Sequence, residues 1–147
     1  MPADDAVLDQ SGCMYAPHVL GVMAGQGLVI RNSDPTLHNV HARPSANREF
    51  NAGQPIPGME TRKVFDQVEL NVPFKCDVHP WMSATVHVVA NPYHAVSGSN
   101  GSFSLEALPP GDYVLEAVHE TLGTREATVT VPANGTVEVQ FDFDAAA

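Results

Sequence analysis

The stretch KCDVHPWM at residues 75–82 places three side chains that can bind metals within seven positions. Cys76, His79 and Met82 are three residues apart, with a proline and a tryptophan between the histidine and the methionine. This spacing is compatible with one turn of a helix, half of a zinc site, a thiol redox loop or a copper-binding loop. Side chains elsewhere in the chain must decide among these four interpretations.

The chemical types of the three side chains favour copper. Zinc sites usually take four nitrogen or thiolate ligands, and the thioether of Met82 is a poor zinc ligand. A redox loop requires a second nearby cysteine, and the only other cysteine is Cys13. A cysteine nucleophile with a histidine base stays possible. A copper ion that carries one electron suits a cysteine, two histidines and a distant methionine, and TLHNVH at 36–41 offers the second histidine, His38.

Composition and charge restrict the class of protein. The chain has 147 residues, of which 44 % are apolar, as expected for a folded globular protein. Seven basic residues against seventeen acidic ones give a net charge of −10, which argues against nucleic-acid binding. No apolar run is long enough to predict a membrane span. No basic-then-apolar start is present, so we expect any secretion signal to be missing from this sequence.

Short β-rich runs separated by turn-forming residues predict an all-β protein, either a sandwich or a barrel. No segment of a dozen residues carries a sustained helical stripe of apolar residues. Alternating residues on both sides of Asn134-Gly135 further predict a hairpin. The predicted strands cover residues 19–22, 27–31, 63–65, 69–72, 85–90, 102–107, 113–119, 126–131 and 136–143.

The pair of motifs LHNV at 37–40 and CDVHPWM at 76–82 resembles the copper sites of cupredoxins. The short loop with a proline after its histidine is most similar to the amicyanin branch of the plastocyanin group. The resemblance covers roughly residues 10–90 and implies a Greek-key β-sandwich.

The same resemblance implies the metal and its ligands. It implies a single copper ion that alternates between Cu(I) and Cu(II), with three equatorial ligands and one axial ligand. By residue, the equatorial ligands would be His38, Cys76 and His79, and the axial ligand would be Met82. The family also uses the asparagine after the first histidine, here Asn39, to brace the thiolate loop.

The C-terminal part resembles a different family. The stretch NGSFSLEALPPGDYVLEAVHE at 100–120 is similar to the transthyretin-like fold of carboxypeptidase regulatory-like domains. We therefore expect a cupredoxin domain at 1–90 and a small, β-sandwich-like extension at 91–147. This second resemblance implies a fold and says little about function.

Together these features predict an electron carrier and not an enzyme. The protein would move one electron between redox partners, such as a c-type cytochrome or a periplasmic dehydrogenase, and no residue would be catalytic. The resemblance implies a periplasmic or secreted location. Three alternatives stay open: a copper storage or delivery protein, a copper enzyme or enzyme subunit with a second metal site, and a binding module in which copper has only a structural role.

Three residues near the motifs have no assigned role. Cys13 could be a small buried thiol, a partner of Cys76 in a disulfide, half of an intermolecular bridge, or part of a second metal site with His18. The imidazole of His18 is otherwise expected to be structural or exposed to solvent. His41, three residues after His38, is expected beside the metal site or at the surface.

Overall fold

The computed structural model describes residues 1–144 of the chain. These residues contain eleven β-strands and no helix. The chain divides into two units, Met1–Phe103 and Ser104–Ala147. Within the described residues, no helix is long and apolar enough to cross a membrane. The predicted all-β class is confirmed.

The first unit is a sandwich of two sheets. One sheet has the order β2-β1-β4-β7 and the other β3-β9-β8-β5-β6. The pairs β1–β4 and β3–β9 are parallel, and the other pairs are antiparallel. The strands are β1 (Ala6–Ser11), β2 (Met14–Ala16), β3 (Val19–Met23), β4 (Gly27–Asn32), β5 (His38–Ala42), β6 (Phe50–Gln54), β7 (Glu60–Val64), β8 (Glu69–Lys75) and β9 (Ser83–Val89).

Alternate residues of the strands form the core between these two sheets. Leu28 and Ile30 of β4 are fully buried, and so are Val40 of β5 and Val86 of β9 on the opposite sheet. These residues belong to one continuous apolar cluster, because successive side chains of a strand point to opposite faces. Each buried aliphatic side chain contributes roughly 1.5–3 kcal/mol, so the core fixes the register of every strand that carries a site residue.

The register of three neighbouring strands brings the two sequence motifs together. In the pairing of β5 with β8, His41 lies opposite Lys75, and Lys75 in turn lies opposite Ser83 of β9. His38, at the start of β5, therefore lies at the same end of the sheet as residues 76–82, which connect β8 to β9.

The chain that follows β9 returns to the sheet beside β3. A Cβ atom placed on Gly21 would lie 2.6 Å from Nδ1 of His94. Real Cβ contacts are never that short, so the imidazole of His94 packs where only a glycine leaves room. Residues beyond β9 thus remain attached to the first unit.

The second unit contains an antiparallel hairpin of β10 (Gly111–His119) and β11 (Gly123–Val131), paired along its whole length. Within the described residues, its sheet has only these two strands. Tyr113 donates its hydroxyl hydrogen to the carbonyl of Pro109 at 2.7 Å, which ties the hairpin to the segment before it. The predicted boundary at residue 90 and the transthyretin-like assignment stay predictions.

Two predicted strands do not form. Residues 102–107 lie in turns and irregular chain, and their start is closed locally by hydrogen bonds between Gly98 and Ser102 and between Gly101 and Gly98. Ala107 adopts a positive φ of 59°, which is incompatible with a continuous strand. The strand at 136–143 is also wrong, since these residues form no ladder with a neighbour.

The hairpin predicted at Asn134-Gly135 is wrong for a local reason. The turn closes with the amide of Gly135 donating to the carbonyl of Pro132 at 3.3 Å. This turn begins one residue earlier than a two-residue Asn-Gly loop would require. Pro132 has no N–H that could donate to the carbonyl of Gly135 in exchange, so the ladder ends at Val131.

Glu69 of β8 holds the loop between β5 and β6. Its carboxylate accepts backbone hydrogen bonds from Ser45, Ala46 and Asn47 at 2.6, 2.7 and 3.0 Å, and a fourth bond from the Asn47 side chain at 3.2 Å. Burial acts to raise the pKa of Glu69, but these hydrogen bonds outweigh it and lower the pKa below the usual value.

We predict that Glu69→Gln lowers the free energy of unfolding by about 1–2 kcal/mol at pH 7, because bonds to a charged acceptor are replaced by weaker ones. Because the folded-state pKa is depressed, this stabilisation is present above the unfolded pKa and is lost as pH falls through the folded value. Urea unfolding between pH 7 and pH 3 measures the effect. If the two proteins differed in free energy of unfolding by the same amount at every pH in this range, the prediction would be contradicted. The control is Glu106→Gln, at an exposed position of the second unit.

Candidate metal centre

Three donor atoms predicted from the sequence lie close together at one end of the sandwich. Nδ1 of His38 is 3.1 Å from Nδ1 of His79, and Sγ of Cys76 is 3.7 Å from Nδ1 of His79 and 4.0 Å from Nδ1 of His38. A three-coordinate ion with bonds of about 2.0 Å to nitrogen and 2.3 Å to sulfur separates its donors by about 3.5–3.8 Å. The three donors therefore fit one ion with shifts of a few tenths of an ångström.

The loop 76–82 is closed on itself. The amide of Met82 donates to the carbonyl of His79 at 3.0 Å, and the amide of Cys76 donates to the carbonyl of Met82 at 3.4 Å. The amide of His79 also points at the Cys76 sulfur at 3.4 Å, an arrangement that stabilises a thiolate. Met82 is completely buried, and its place as axial ligand stays a prediction.

Asp34 orients His38. Its Oδ2 atom lies 2.7 Å from Nε2 of the buried His38 ring. Burial acts to raise the pKa of Asp34, but the bond from His38 and the backbone amides of Cys13 and Gly12 outweigh burial and hold this pKa below its usual value. Asp34 is therefore an ionised acceptor, and Nε2 of His38 must donate.

This donation determines the other protons of the cluster. With neutral rings, Nδ1 of His38 keeps its lone pair, and in the metal-free centre a proton on Nδ1 of His79 makes the contact between these two atoms a hydrogen bond. Nε2 of His79 then has a lone pair as well, and this atom lies 4.0 Å from Sγ of Cys13. Each nitrogen that would face an ion thus has a defined protonation state before an ion arrives.

A second set of polar contacts braces the other side of the loop. Asn39 accepts a hydrogen bond from the amide of Asp77 and donates to its Oδ2 atom at 2.9 Å. Asn51 donates to the same oxygen at 3.0 Å, and His41 lies 3.3 Å from it. Bonds from Asn39 and Asn51, led by Asn39, hold the pKa of Asp77 well below its usual range.

Tyr15 joins β5 and β8 below the loop. Its hydroxyl lies 3.1 Å from the carbonyl of Asn39 and 3.0 Å from that of Lys75. Burial, followed by repulsion from the ionised forms of Cys76 and Asp77, raises the pKa of Tyr15 above its usual value. The hydroxyl therefore stays protonated, and its single hydrogen is shared between the carbonyls of the two strands.

Cys13 lies beside the predicted site, a position that neither sequence motif specifies. Both cysteines are free. Within the described residues, Cys13, His38 and His79 have ligand atoms that all lie within 4.8 Å of one another. His18, the other candidate neighbour of Cys13, instead lies with Nδ1 3.1 Å from the carbonyl of Ser83.

Trp81 connects Cys13 to the loop. Its indole N–H donates to the carbonyl of Cys13 at 2.9 Å, and its ring lies 5.0 Å from the ring of His79 in an edge-on arrangement. The side chain is nevertheless 60 % exposed. Trp81 thus shields one edge of His79 and presents the rest of its ring to solvent.

Solved structures identify the fold of the first unit. A copper-containing nitrite reductase from Thermus scotoductus superposes with a TM-score of 0.56 at 17 % identity, over 62 % of this chain and 24 % of the reductase. A purple cupredoxin from Nitrosopumilus maritimus gives 0.50 at 22 % identity, over 58 % of this chain and 100 % of the other. An oxidised proline-to-glycine variant of amicyanin gives 0.52 at 19 % identity, over 59 % and 84 % of the two chains.

The first unit has the cupredoxin fold. At these identities the likeness establishes the fold alone, and the chain spans about a quarter of the nitrite reductase. No curated protein sequence matches the chain. The cupredoxin fold and the Cys/His/His cluster together support a copper protein.

The family model of the carboxypeptidase regulatory-like domain matches residues 78–144, fewer than half of the chain. The match begins inside the loop 76–82 and includes β9. In the structure β9 is hydrogen-bonded to both β3 and β8, so it is part of the cupredoxin sandwich. The resemblance of the C-terminal region to this family is supported, with a start that differs from the structural division.

We predict that Asp34→Ala removes the fixed tautomer of His38 and lowers the free energy of unfolding by about 2 kcal/mol, because a buried imidazole loses a charged acceptor. Nitrogen-15 spectra of the metal-free protein distinguish the two tautomers. In the unaltered protein His38 should carry its proton on Nε2 and His79 on Nδ1. A proton on Nδ1 of His38 would contradict this assignment. The control is Asp9→Ala, which removes a half-buried acceptor for Ser33 and for the amide of Gln10 and should leave the His38 signal unchanged.

Proposed function

We propose that this protein is a mononuclear type 1 copper protein that transfers one electron at a time between redox partners. His38, Cys76 and His79 would be the equatorial ligands, and Met82 the axial ligand. The observation that carries the proposal is the triangle of Nδ1, Nδ1 and Sγ atoms with edges of 3.1, 3.7 and 4.0 Å.

The donor set suits both oxidation states of copper. A thiolate and a thioether are soft ligands that stabilise Cu(I), and imidazole accommodates both states. Copper held by these donors would supply one-electron chemistry. Cys76 and His38 are excluded from solvent, which keeps water away from the donors.

The scaffold around the donors supports fast electron transfer because it resists change. Asp34 fixes the ring of His38, and Asn39 fixes the loop through Asp77. Pro80 further restricts the backbone between His79 and Met82. Donors held in this way keep nearly the same positions in both oxidation states, which lowers the reorganisation that each transfer requires.

Electrons would enter and leave through the side of His79. This ring is half-buried, and Trp81, Val78 and Leu37, each adjacent in the chain or in space to a proposed ligand, are 60, 45 and 46 % exposed. Exposed apolar side chains grouped around a site are typical of docking surfaces. With a net charge of −10, the protein would favour a partner with a basic surface, such as a c-type cytochrome or a dehydrogenase.

A periplasmic or secreted location belongs to the same proposal, since a thiolate copper carrier of this fold works with partners there. We propose the carrier in preference to an enzyme because the four proposed ligands complete the coordination of one ion. The solved nitrite reductase makes nitrite the substrate with which to test that preference.

We predict that the protein loaded with Cu(II) shows an intense visible band from thiolate-to-copper charge transfer. Cys76→Ser should abolish the band, because serine provides no thiolate, while Cys13→Ser should retain it. Visible and electron paramagnetic resonance spectra of the three proteins measure this. A colourless Cu(II) complex would exclude the type 1 site, and loss of the band in Cys13→Ser alone would reverse the roles of the two thiols.

A second prediction separates carrier from enzyme. Voltammetry of the copper-loaded protein should give a reversible one-electron wave, because the braced donors barely move. Nitrite added under reducing conditions should neither alter the spectrum nor be consumed. Catalytic current or nitrite consumption would contradict the carrier, and an irreversible wave would favour copper storage or delivery. Cys76→Ser serves as the matched control without the thiolate.

A further inference from the structure

Cys13 and His79 form the outer side of the candidate centre. Both side chains are half-buried, whereas Cys76, His38 and Met82 are at most 1 % exposed. An ion that reaches the centre from solvent therefore meets Cys13 and His79 before it meets the inner donors. Cys13 packs against the core cluster but is only partly buried, so its thiol remains within reach of solvent.

The backbone holds the thiol in this place from both sides. Gly12 and Cys13 have φ values of 62° and 56°, and a non-glycine residue in this region costs roughly 1–2 kcal/mol. Asp34 accepts the amides of Gly12 and Cys13 at 2.8 and 2.9 Å. Trp81 donates to the Cys13 carbonyl. These three bonds offset the cost and keep Sγ facing His79.

The donor atoms are also separated as an ion requires. Sγ of Cys13 lies 4.0 Å from Nε2 of His79. With bonds of about 2.3 and 2.0 Å, an ion between them separates sulfur from nitrogen by about 3.7 Å in trigonal geometry and about 4.3 Å in linear geometry. In the proton arrangement derived above, Nε2 of His79 offers a lone pair in the metal-free protein.

We propose that Cys13 and His79 form an outer Cu(I) site, through which reduced copper reaches the inner donors. The proposal rests on the proposed copper function. A soft thiolate with one imidazole suits Cu(I), which accepts two or three ligands. Because Asp34 contacts the amide of Cys13 and the ring of His38, one carboxylate positions both the outer thiol and an inner ligand.

The protons balance without any change of oxidation state. When Cu(I) binds, Cys13 releases its thiol proton and His79 contributes the lone pair of Nε2. On transfer inward, Cys13 and Nε2 of His79 each take up a proton, while Cys76 and Nδ1 of His79 each release one. No electron moves, and no further reactant is required.

The test removes the inner thiol, that of Cys76, and measures whether the outer thiol, that of Cys13, still binds Cu(I). Under anaerobic, reducing conditions, Cys76→Ser is titrated with Cu(I) in competition with a chromogenic Cu(I) chelator. We expect one bound ion, and we expect Cys13→Ser in the same background to weaken binding by at least the roughly 10–100-fold that loss of a supporting residue costs a metal site. Equal affinities of the single and double variants would overturn the proposal.

Loading kinetics provide a second measurement that a structural role would not affect. Cys13→Ser with Cys76 intact should reach the same final occupancy as the unaltered protein. It should take up Cu(I) at least about tenfold more slowly, which is the lower end of the roughly 10–100-fold effect expected for loss of a supporting residue. Cys13→His should restore fast uptake, because histidine tolerates a positive φ and supplies a metal ligand. Equal rates for all three proteins would contradict an entry role.

The outcomes separate this proposal from the proposed function. If the outer site is absent, the visible band of the Cu(II) protein persists and only the thiol-dependent binding and uptake disappear. If the inner site is absent, the band is missing in the unaltered protein, and Cys76→Ser binds Cu(I) as tightly as the unaltered protein does. Unchanged circular dichroism in each variant shows that the fold is retained.

Discussion

One carboxylate holds the centre together. Asp34 accepts hydrogen bonds from Nε2 of His38 and from the amides of Gly12 and Cys13. The histidine lies on β5 in one sheet, and the turn that contains Cys13 follows β1 in the other. The bond to His38 exposes the lone pair of Nδ1 toward the centre, and the bonds to the turn place the second thiol. Removing this anion would take away the acceptor of Nε2 of His38 and two of the three bonds that hold the turn.

The sandwich could be predicted from the sequence because several of its strands carry β-rich runs. β3, β4, β8 and β9 coincide with predicted strands. The strand β5 was not predicted, since its histidines were interpreted as a metal motif and it has few apolar residues. β1, β2 and β6 are short or rich in polar residues, and their pairing depends on partners distant in the chain. The hairpin after β11 failed because proline shifted the turn by one residue.

The candidate site divides in the same way. Cys76, His79 and Met82 are close in the sequence, and the second motif supplies His38, so a recognisable spacing was available. Cys13 could not be placed beside the site in this way, because its approach to His79 depends on a turn whose left-handed geometry is stabilised only in the folded chain. Nothing in the sequence says that the side chain of Asp34 spans the two sheets. A polar residue four positions before a ligand histidine is the only local signal that could have pointed to it.

The packing of His94 against Gly21 determines where the chain can be shortened. A version that ended at residue 90 would lose the imidazole that packs on Gly21 and would expose the face of β3 at this glycine. A version that ended after residue 103 would keep this cover. For preparing the cupredoxin part alone, the choice of terminus therefore decides whether β3 keeps a packing contact that lies beyond the last strand of its own sheet.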